Sequence, residues 1–260
     1  MSEISCGTIP IFHANFKTLP EHTSHLKLFK IKLSSYYKLV PELTSYLNAI
    51  ELHRARKYHF EKDRNQFVIC RTLLKFILAQ HTNSPISEIN IDIDSNNKPF
   101  LSSNKSICFN VSHASDYGII IVRNDDAVGI DIEYLNNDFN FSEIMPDIYS
   151  AIEIDTVLNA RNKAQAFYKF WTRKEAIVKA TGTGISDFLP QIPAVDGRHT
   201  IDSKFLDGYN SLQVLSFDLE ENYTASLALS GENLNFDKFL VYNLPNSIEE
   251  LLSFSRLNSL

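Results

Sequence analysis

Cysteine is scarce in this sequence of 260 residues, and the cysteines that are present form no ligand or disulfide pattern. Cys6, Cys70 and Cys108 are an odd number, and no CxxC or Cys/His ligand spacing surrounds them. Disulfide frameworks use paired cysteines, and structural zinc sites use closely spaced Cys and His side chains. The sequence therefore indicates neither, and we expect the three thiols to act as small apolar side chains.

Long apolar runs and an excess of basic charge are also missing. No segment approaches the roughly 20 apolar residues of a membrane span, and the opening MSEISCGTIPIF has no basic start or apolar run typical of a signal peptide. The formal net charge of -6 disfavours a broad electrostatic hold on nucleic acid or on an anionic membrane. We expect a cytoplasmic protein without nucleic-acid or membrane partners, in which any anion binding is local.

The hydrophobic content of 44% is enough for a substantial core, and the length fits one large domain or two small ones. Helical periodicity in segments 42–60 and 64–80 is followed by period-two runs that predict strands. A third helix is predicted from Lys169 onward, with strands again in 211–219, 223–230 and 238–244. The second half thus repeats the order of the first, and the midpoint lies near Asp125 and Asp126.

The segment FWTRKEAIVKATGTG has apolar residues at helical spacing and a plausible helix stop at Gly182. On such a helix Glu175 and Lys179 stand one turn apart. Taken alone, the pair is typical of a surface salt bridge worth a few tenths of a kcal/mol.

The segment VGIDIE predicts a strand with Val128, Ile130 and Ile132 on one face and Gly129, Asp131 and Glu133 on the other. Two adjacent carboxylates offer half of a site for a hard cation such as Mg2+, which prefers oxygen ligands. The alternative is a strand with one solvated face.

Three further groups of polar residues precede this strand. Ser112 and His113 end the strand of FNVSHAS, where a hydroxyl and an imidazole offer a phosphate contact or simply a polar strand end. No GxSxG elbow surrounds Ser112, which disfavours a nucleophilic triad. Lys98 and Pro99 lie in the turn NNKPF. The cations on the preceding helical segments are Arg54, Lys62, Arg71 and Lys75, and most helical cations are solvated.

In this order, the basic helix pair, the KP turn, NVSH, GIDIE and FWTRKEAIVKATGTG resemble the 4'-phosphopantetheinyl transferases, specifically the large pseudodimeric type. The resemblance covers roughly Arg54 to Ile185. It implies an α+β fold in which two similar α/β subdomains, 1–125 and 126–260, are related by a pseudo-twofold axis. Coenzyme A would lie in the cleft between them.

The resemblance also implies roles for individual residues. Asp131, Glu133 and Glu175 match the magnesium-binding acids, Glu175 and Lys179 are the catalytic pair, and Ser112 and His113 match contacts to the 3'-phosphate end of coenzyme A. The remaining implied coenzyme contacts are Arg54, Lys62, Arg71, Lys75, Lys98 and Pro99. Segment 136–161, expected to contribute to carrier docking, matches nothing in the family pattern.

The implied reaction transfers the 4'-phosphopantetheine arm of coenzyme A to a serine of an apo carrier protein and releases adenosine 3',5'-bisphosphate. The implied protein is a monomer that depends on Mg2+. Two other functions remain open: a magnesium-dependent hydrolase of a nucleotide pyrophosphate, and a non-catalytic module that binds coenzyme A or a carrier protein.

Overall fold

The computed structural model describes residues 1–18, 26–184, 188–231 and 236–256. The α-helices are α1 (Val40–Thr44), α2 (Ala49–Arg56), α3 (Glu61–Thr82), α4 (Met145–Ile148), α5 (Ala151–Asn159), α6 (Lys163–Thr181) and α7 (Ile248–Phe254). The strands are β1 (Ser2–Thr8), β2 (Ile11–Asn15), β3 (Leu26–Lys32), β4 (Ile91–Ile93), β5 (Pro99–Leu101), β6 (Ile107–Ala114), β7 (Tyr117–Asn124), β8 (Val128–Tyr134), β9 (Gly197–Ile201), β10 (Ser211–Glu220), β11 (Tyr223–Ser230) and β12 (Phe239–Asn243).

The strands form two five-stranded sheets and a short ribbon made of β4 and β5. The first sheet has the order β2-β12-β3-β7-β6, and the second has the order β8-β11-β10-β1-β9. Edge strand β6 of the first sheet lies against edge strand β8 of the second, where the Asn110 side chain accepts a hydrogen bond from the Ile130 amide at 2.9 Å. The two halves of the chain therefore meet along these two edges.

Each half contains the same unit, a strand followed by a long helix and an antiparallel hairpin. In the first half the unit is β3-α3-β6-β7, and in the second it is β8-α6-β10-β11. In both units the first strand pairs antiparallel with the last strand of the hairpin. The predicted α+β fold with two similar halves about a pseudo-twofold axis is confirmed.

The terminal strands are exchanged between the halves. Strand β1, from the N-terminus, pairs with β10 and β9 in the second sheet, whereas β12, from near the C-terminus, pairs with β2 and β3 in the first. The division into 1–125 and 126–260 stays a prediction about domains. Hydrogen bonding in the sheets ties each half to the terminal strand of the other.

Apolar side chains collect in three clusters. One cluster joins α3 to the first sheet, and a second joins α6 to the second sheet. The third lies between the sheets and contains Ile119 and Ile121 of β7 together with Val128, Ile130 and Ile132 of β8. The alternation predicted for VGIDIE is thus correct, and the apolar face of β8 is the one that faces the other half.

The single helix predicted over 42–60 is wrong in one respect, because the chain forms two helices there, α1 and α2. The Asn48 side chain accepts a hydrogen bond from the Glu51 amide at 2.9 Å, and the Glu51 carboxylate accepts one from the Asn48 amide at 3.0 Å. This capping box starts a new helix after Asn48, so the segment does not form one continuous helix.

The sequence pattern does not predict several other helices and strands. Segment 136–161 contains α4 and α5, and α5 begins with a capping box between Ser150 and Glu153. The sequence pattern S-x-x-E was the available signal for this helix start. Strands β1, β2 and β3 were also not predicted. The helix predicted from Lys169 to a stop at Gly182 is α6, which begins earlier, at Lys163. Ile185, where the resemblance ends, lies outside the described residues.

Across the described ranges, no helix combines the length and the apolar character that crossing a bilayer requires. Cys6 and Cys70 are buried, Cys108 is half-buried, and all three are free thiols, as predicted.

Candidate active site

The site begins with an unusually close approach of helix α6 to strand β8. A Cβ atom added to Gly129 would lie 2.1 Å from the Ala176 carbonyl oxygen and 2.4 Å from the Ala180 amide nitrogen. Only a residue without a side chain permits this contact. Asp131 and Glu133 share the face of β8 that carries Gly129, so their carboxylates are pressed toward α6, and the alternative of a solvated strand face is wrong.

Asp131 is 4% exposed and lies at the meeting point of three elements. Its Oδ1 accepts hydrogen bonds from Lys179 Nζ of α6 at 2.6 Å and from Ser112 Oγ of β6 at 2.8 Å. Lys179 Nζ also lies 3.1 Å from Ser112 Oγ. Three predicted site residues, Ser112, Asp131 and Lys179, therefore meet at one carboxylate. They come from both halves of the molecule.

Glu133, two residues further along the same face, has a different partner. Its Oε1 accepts a hydrogen bond from the indole nitrogen of Trp171 at 3.1 Å. Trp171 also packs at the edge of the second cluster, while Phe170 is buried within it. Both aromatic residues therefore anchor α6 in the second cluster, and Trp171 additionally contacts a candidate metal ligand.

Glu175 lies on α6 one turn after Trp171 and one turn before Lys179 and is 8% exposed. Its Oε1 is buried and makes no hydrogen bond, and the same is true of Asp131 Oδ2. A buried carboxylate oxygen without a partner carries a substantial desolvation penalty. Two such oxygens, on acids close enough for the charge of one to act on the other, indicate that a further group satisfies them.

The acids influence one another electrostatically. Burial raises the pKa of Glu133 to about 7, and the charge of Asp131 adds to this rise. Burial and the charge of Asp131 also raise the pKa of Glu175, whereas Lys179 lowers it in part. The pKa of Asp131 is raised by burial despite the opposing ammonium of Lys179.

Oxygen donors of this kind suit a hard cation, although the side chains are not arranged around one. Within residues 1–18, 26–184, 188–231 and 236–256, no three His, Cys, Asp or Glu side chains are grouped closely enough to hold a metal ion as they stand. The Lys179 ammonium binds Asp131 Oδ1, where a cation would compete with it. The unpartnered oxygens of Asp131 and Glu175 and the raised pKa values fit the donor set of a magnesium site.

His113 follows Ser112 at the end of β6. The residue is exposed, yet nearby protein desolvates its imidazole and lowers its pKa, with the charge of Lys179 as a second cause. The charge of Asp63, near the start of α3, acts in the opposite direction. The charges of Lys179 and Asp63 therefore both act on this exposed histidine.

The cationic residues of α2 and α3 differ in their surroundings. The guanidinium groups of Arg54 and Arg71 lie 5.3 and 5.6 Å from the centre of the Phe67 ring. Arg54 and Lys62 are exposed. Lys75 is buried and donates to the Tyr46 carbonyl oxygen at 2.7 Å and to Glu51 at 3.4 Å. Arg54 and Lys62 remain available to a ligand. The Arg71 side chain is 11% exposed and lies 3.8 Å from Glu51, and the position of Lys75 does not support a direct contact.

Lys98 joins the short ribbon to the C-terminal end of α6. Its Nζ donates to the Ala180 carbonyl oxygen at 2.6 Å, and burial lowers its pKa. Pro99, which begins β5, is half-buried. The helix ends at Gly182, whose φ of 78° is left-handed as expected of a glycine helix stop. The lysine of the KP turn is thus held beside the C-terminal end of α6.

Arg173 and Lys174, which directly precede Glu175 on α6, are buried cations that bind other residues of the protein. The sequence pattern does not predict these contacts. Arg173 is wholly buried and donates to Ser216 Oγ, to Asp196 and to the carbonyl oxygens of Ala194 and Gly7. Lys174, also wholly buried, forms an ion pair with Glu153 at 2.9 Å. Together they fix the orientation of α6 and therefore of Glu175.

Two family models match adjacent parts of the chain. The model for the 4'-phosphopantetheinyl transferase superfamily matches residues 127–228, and the model for the N-terminal part of 4'-phosphopantetheinyl transferases matches residues 37–124. The boundary between the two matches falls between β7 and β8. All of the predicted site residues lie within the two matched ranges.

Curated proteins give the same result. The chain is 28% identical to the 4'-phosphopantetheinyl transferase HetI of Nostoc over 169 residues, which are 63% of this chain and 71% of that protein. It is 28% identical to the 4'-phosphopantetheinyl transferase psf-1 of Bacillus pumilus over 187 residues, which are 68% of this chain and 78% of that protein. A phosphopantetheinyl transferase of Thraustochytrium is 30% identical over 150 residues, or 52% of each chain.

The fold, the carboxylate cluster between β8 and α6 and these matches define a transferase of phosphorylated groups. The chain belongs to the 4'-phosphopantetheinyl transferase superfamily and has the pseudodimeric architecture within it. The predicted family and its transfer activity are confirmed.

Proposed function

We propose that this chain transfers the 4'-phosphopantetheine arm of coenzyme A to a serine of an apo carrier protein, in a reaction that depends on Mg2+. The observation that carries the proposal is the convergence of Asp131, Glu133, Glu175 and Lys179 where α6 crosses β8. Asp131, Glu133 and Glu175 would hold a magnesium ion, which would neutralise charge on the pyrophosphate of coenzyme A.

In the reaction, a bond forms between the carrier serine oxygen and the phosphorus next to pantetheine. The pyrophosphate bond breaks, and adenosine 3',5'-bisphosphate leaves. Glu175 takes the proton of the serine hydroxyl, a role supported by its raised pKa and its unpartnered oxygen. Lys179 donates to the departing phosphate, where a fixed ammonium stabilises developing negative charge.

The remaining polar residues bind and orient coenzyme A. The exposed His113 and the hydroxyl of Ser112 contact the 3'-phosphate end, and Lys98 and Pro99 border the nucleotide. Arg54, Lys62 and Arg71 supply further positive charge. Lys75 acts indirectly in this proposal, because its pairing with Glu51 joins α3 to α2 beneath Arg71.

We further propose that the protein acts as a cytoplasmic monomer and has no nucleic-acid or membrane partner. The net charge of -6 supports local anion binding at the cations named above over a broad basic surface. The carrier protein supplies the nucleophile.

The test is to incubate the protein with coenzyme A, Mg2+ and an apo carrier protein and to measure the mass of the carrier. Addition of the phosphopantetheine mass supports the proposal. Free phosphopantetheine without modified carrier indicates a hydrolase, and neither product indicates a binding module. Glu175→Gln is the matched control, because it keeps the size of the side chain but removes the base and a metal ligand.

A further inference from the structure

Trp171 is the single tryptophan of the chain, and its indole N–H donates to Glu133 Oε1 at 3.1 Å. On α6 it precedes Glu175 by four residues and Lys179 by eight, so the three side chains follow one another along the face that meets β8. The helix therefore contacts the two acids of β8 at two points: Trp171 with Glu133, and Lys179 with Asp131.

These two contacts differ in charge. Lys179 brings an ammonium to Asp131, which neutralises the carboxylate and competes with any cation for it. The indole of Trp171 is a neutral donor with one N–H. It fixes one oxygen of Glu133 and leaves the negative charge and the second oxygen to a ligand.

The geometry points to Trp171 as the residue that positions Glu133 for metal binding in the transfer reaction. This inference rests on the proposed function, since it needs the magnesium site. Groups that hydrogen-bond to a metal ligand fix its orientation, and their loss weakens metal affinity by about 10–100-fold.

A packing role alone predicts a different result. Trp171 is half-buried at the edge of the second cluster, and a phenylalanine at this position keeps an aromatic ring there while removing the N–H. Phe170, the neighbouring residue on the same helix, is 4% exposed and packs within the second cluster, where its ring lies 6.2 Å from that of Tyr149. Phe170→Leu is therefore the matched control for lost packing.

The experiment uses Mn2+ in place of Mg2+, with coenzyme A present, and measures free Mn2+ by electron paramagnetic resonance. We expect Trp171→Phe to weaken Mn2+ binding by at least about tenfold. Phe170→Leu should lower the melting temperature but leave Mn2+ affinity within about twofold of the parent protein. In turnover assays, Trp171→Phe should raise the Mg2+ concentration for half-maximal rate, with most of kcat recovered at saturating Mg2+.

A second readout needs no variant. Because Mn2+ is paramagnetic and Trp171 is the single tryptophan, Mn2+ bound at Glu133 should quench the tryptophan emission with the same midpoint as the resonance titration. Unchanged emission at saturating Mn2+ would overturn the inference, as would equal Mn2+ affinity in Trp171→Phe or an equal loss in Phe170→Leu. If the parent protein binds no Mn2+ at all, the magnesium site of the proposed function fails as well.

Discussion

Replacing Gly129 with alanine tests the close approach of α6 to β8 that forms the site. The added Cβ would lie 2.1 Å from the Ala176 carbonyl oxygen, whereas an ordinary contact is 3.4–4 Å. The obstructing atoms belong to helix backbone, so the helix itself must retreat by about 1 Å or more. Overpacking of this kind costs about 1–3 kcal/mol.

For a chain of this length, that cost lowers the melting temperature by about 2–12 °C. The retreat also separates Glu175 and Lys179 from Asp131, and a displacement of about 1 Å in a catalytic arrangement lowers the rate by about 100-fold. Thermal unfolding and transfer to an apo carrier protein measure the two effects.

Gly7→Ala is the matched control for the alanine substitution. Gly7 lies in β1 of the same sheet, and its added Cβ would meet Leu215 at an ordinary 3.7 Å. This variant should keep its melting temperature and its transfer rate. Parent-like stability and turnover of Gly129→Ala, or equal damage in Gly7→Ala, would refute the steric argument.

Lys179→Ala should lower turnover by about 100-fold or more at saturating substrates, because one fixed electrostatic contact to a transition state is worth about 2.7–4 kcal/mol; a mere surface ion pair predicts almost no change. His113→Ala should bind coenzyme A more weakly with little loss of kcat, and it should no longer distinguish coenzyme A from its dephospho form in binding assays; discrimination equal to the parent contradicts the 3'-phosphate contact. Burial raises the pKa of Glu133 from 4.5 to about 7, so the folded state holds this proton more tightly, and without Mg2+ its contribution to stability falls as pH rises from about 4.5 to 7. The melting-temperature difference between Glu133→Gln and the parent should therefore grow in favour of the variant from pH 5 to pH 8 in a chelator, and a difference independent of pH contradicts this.

Much of the local structure follows from sequence periodicity. Alternation along β8 assigned Val128 and Asp131 to opposite faces, and the structure has the same assignment. Helical spacing placed Glu175 one turn before Lys179, and Gly182 marked the end of α6. These features depend on residues a few positions apart, whose geometry is set by the repeat of a strand or a helix. The roles of these residues in binding and catalysis stay predictions.

A capping box or a distant strand partner can override the periodicity of a segment. The pattern over 42–60 suggested one helix, but the reciprocal hydrogen bonds of Asn48 and Glu51 start a new one. Strands β1 and β12 join the sheet of the opposite half, and no local periodicity specifies a partner more than 200 positions away.

Only the tertiary structure decided which side chains meet. In the sequence, Asp131, Ser112 and Lys179 belong to three separate motifs. The packing of α6 on β8 and of β6 against β8 brings them together, so that Ser112 and Lys179 both bind Oδ1 of Asp131. The packing of α6 on β8 also gives Trp171 its hydrogen bond to Glu133, and the packing of α3 against α2 turns Lys75 inward to Glu51. Such contacts depend on how helices and sheets pack in three dimensions, because burial and distance between segments are properties of the whole fold and not of the spacing within any one segment.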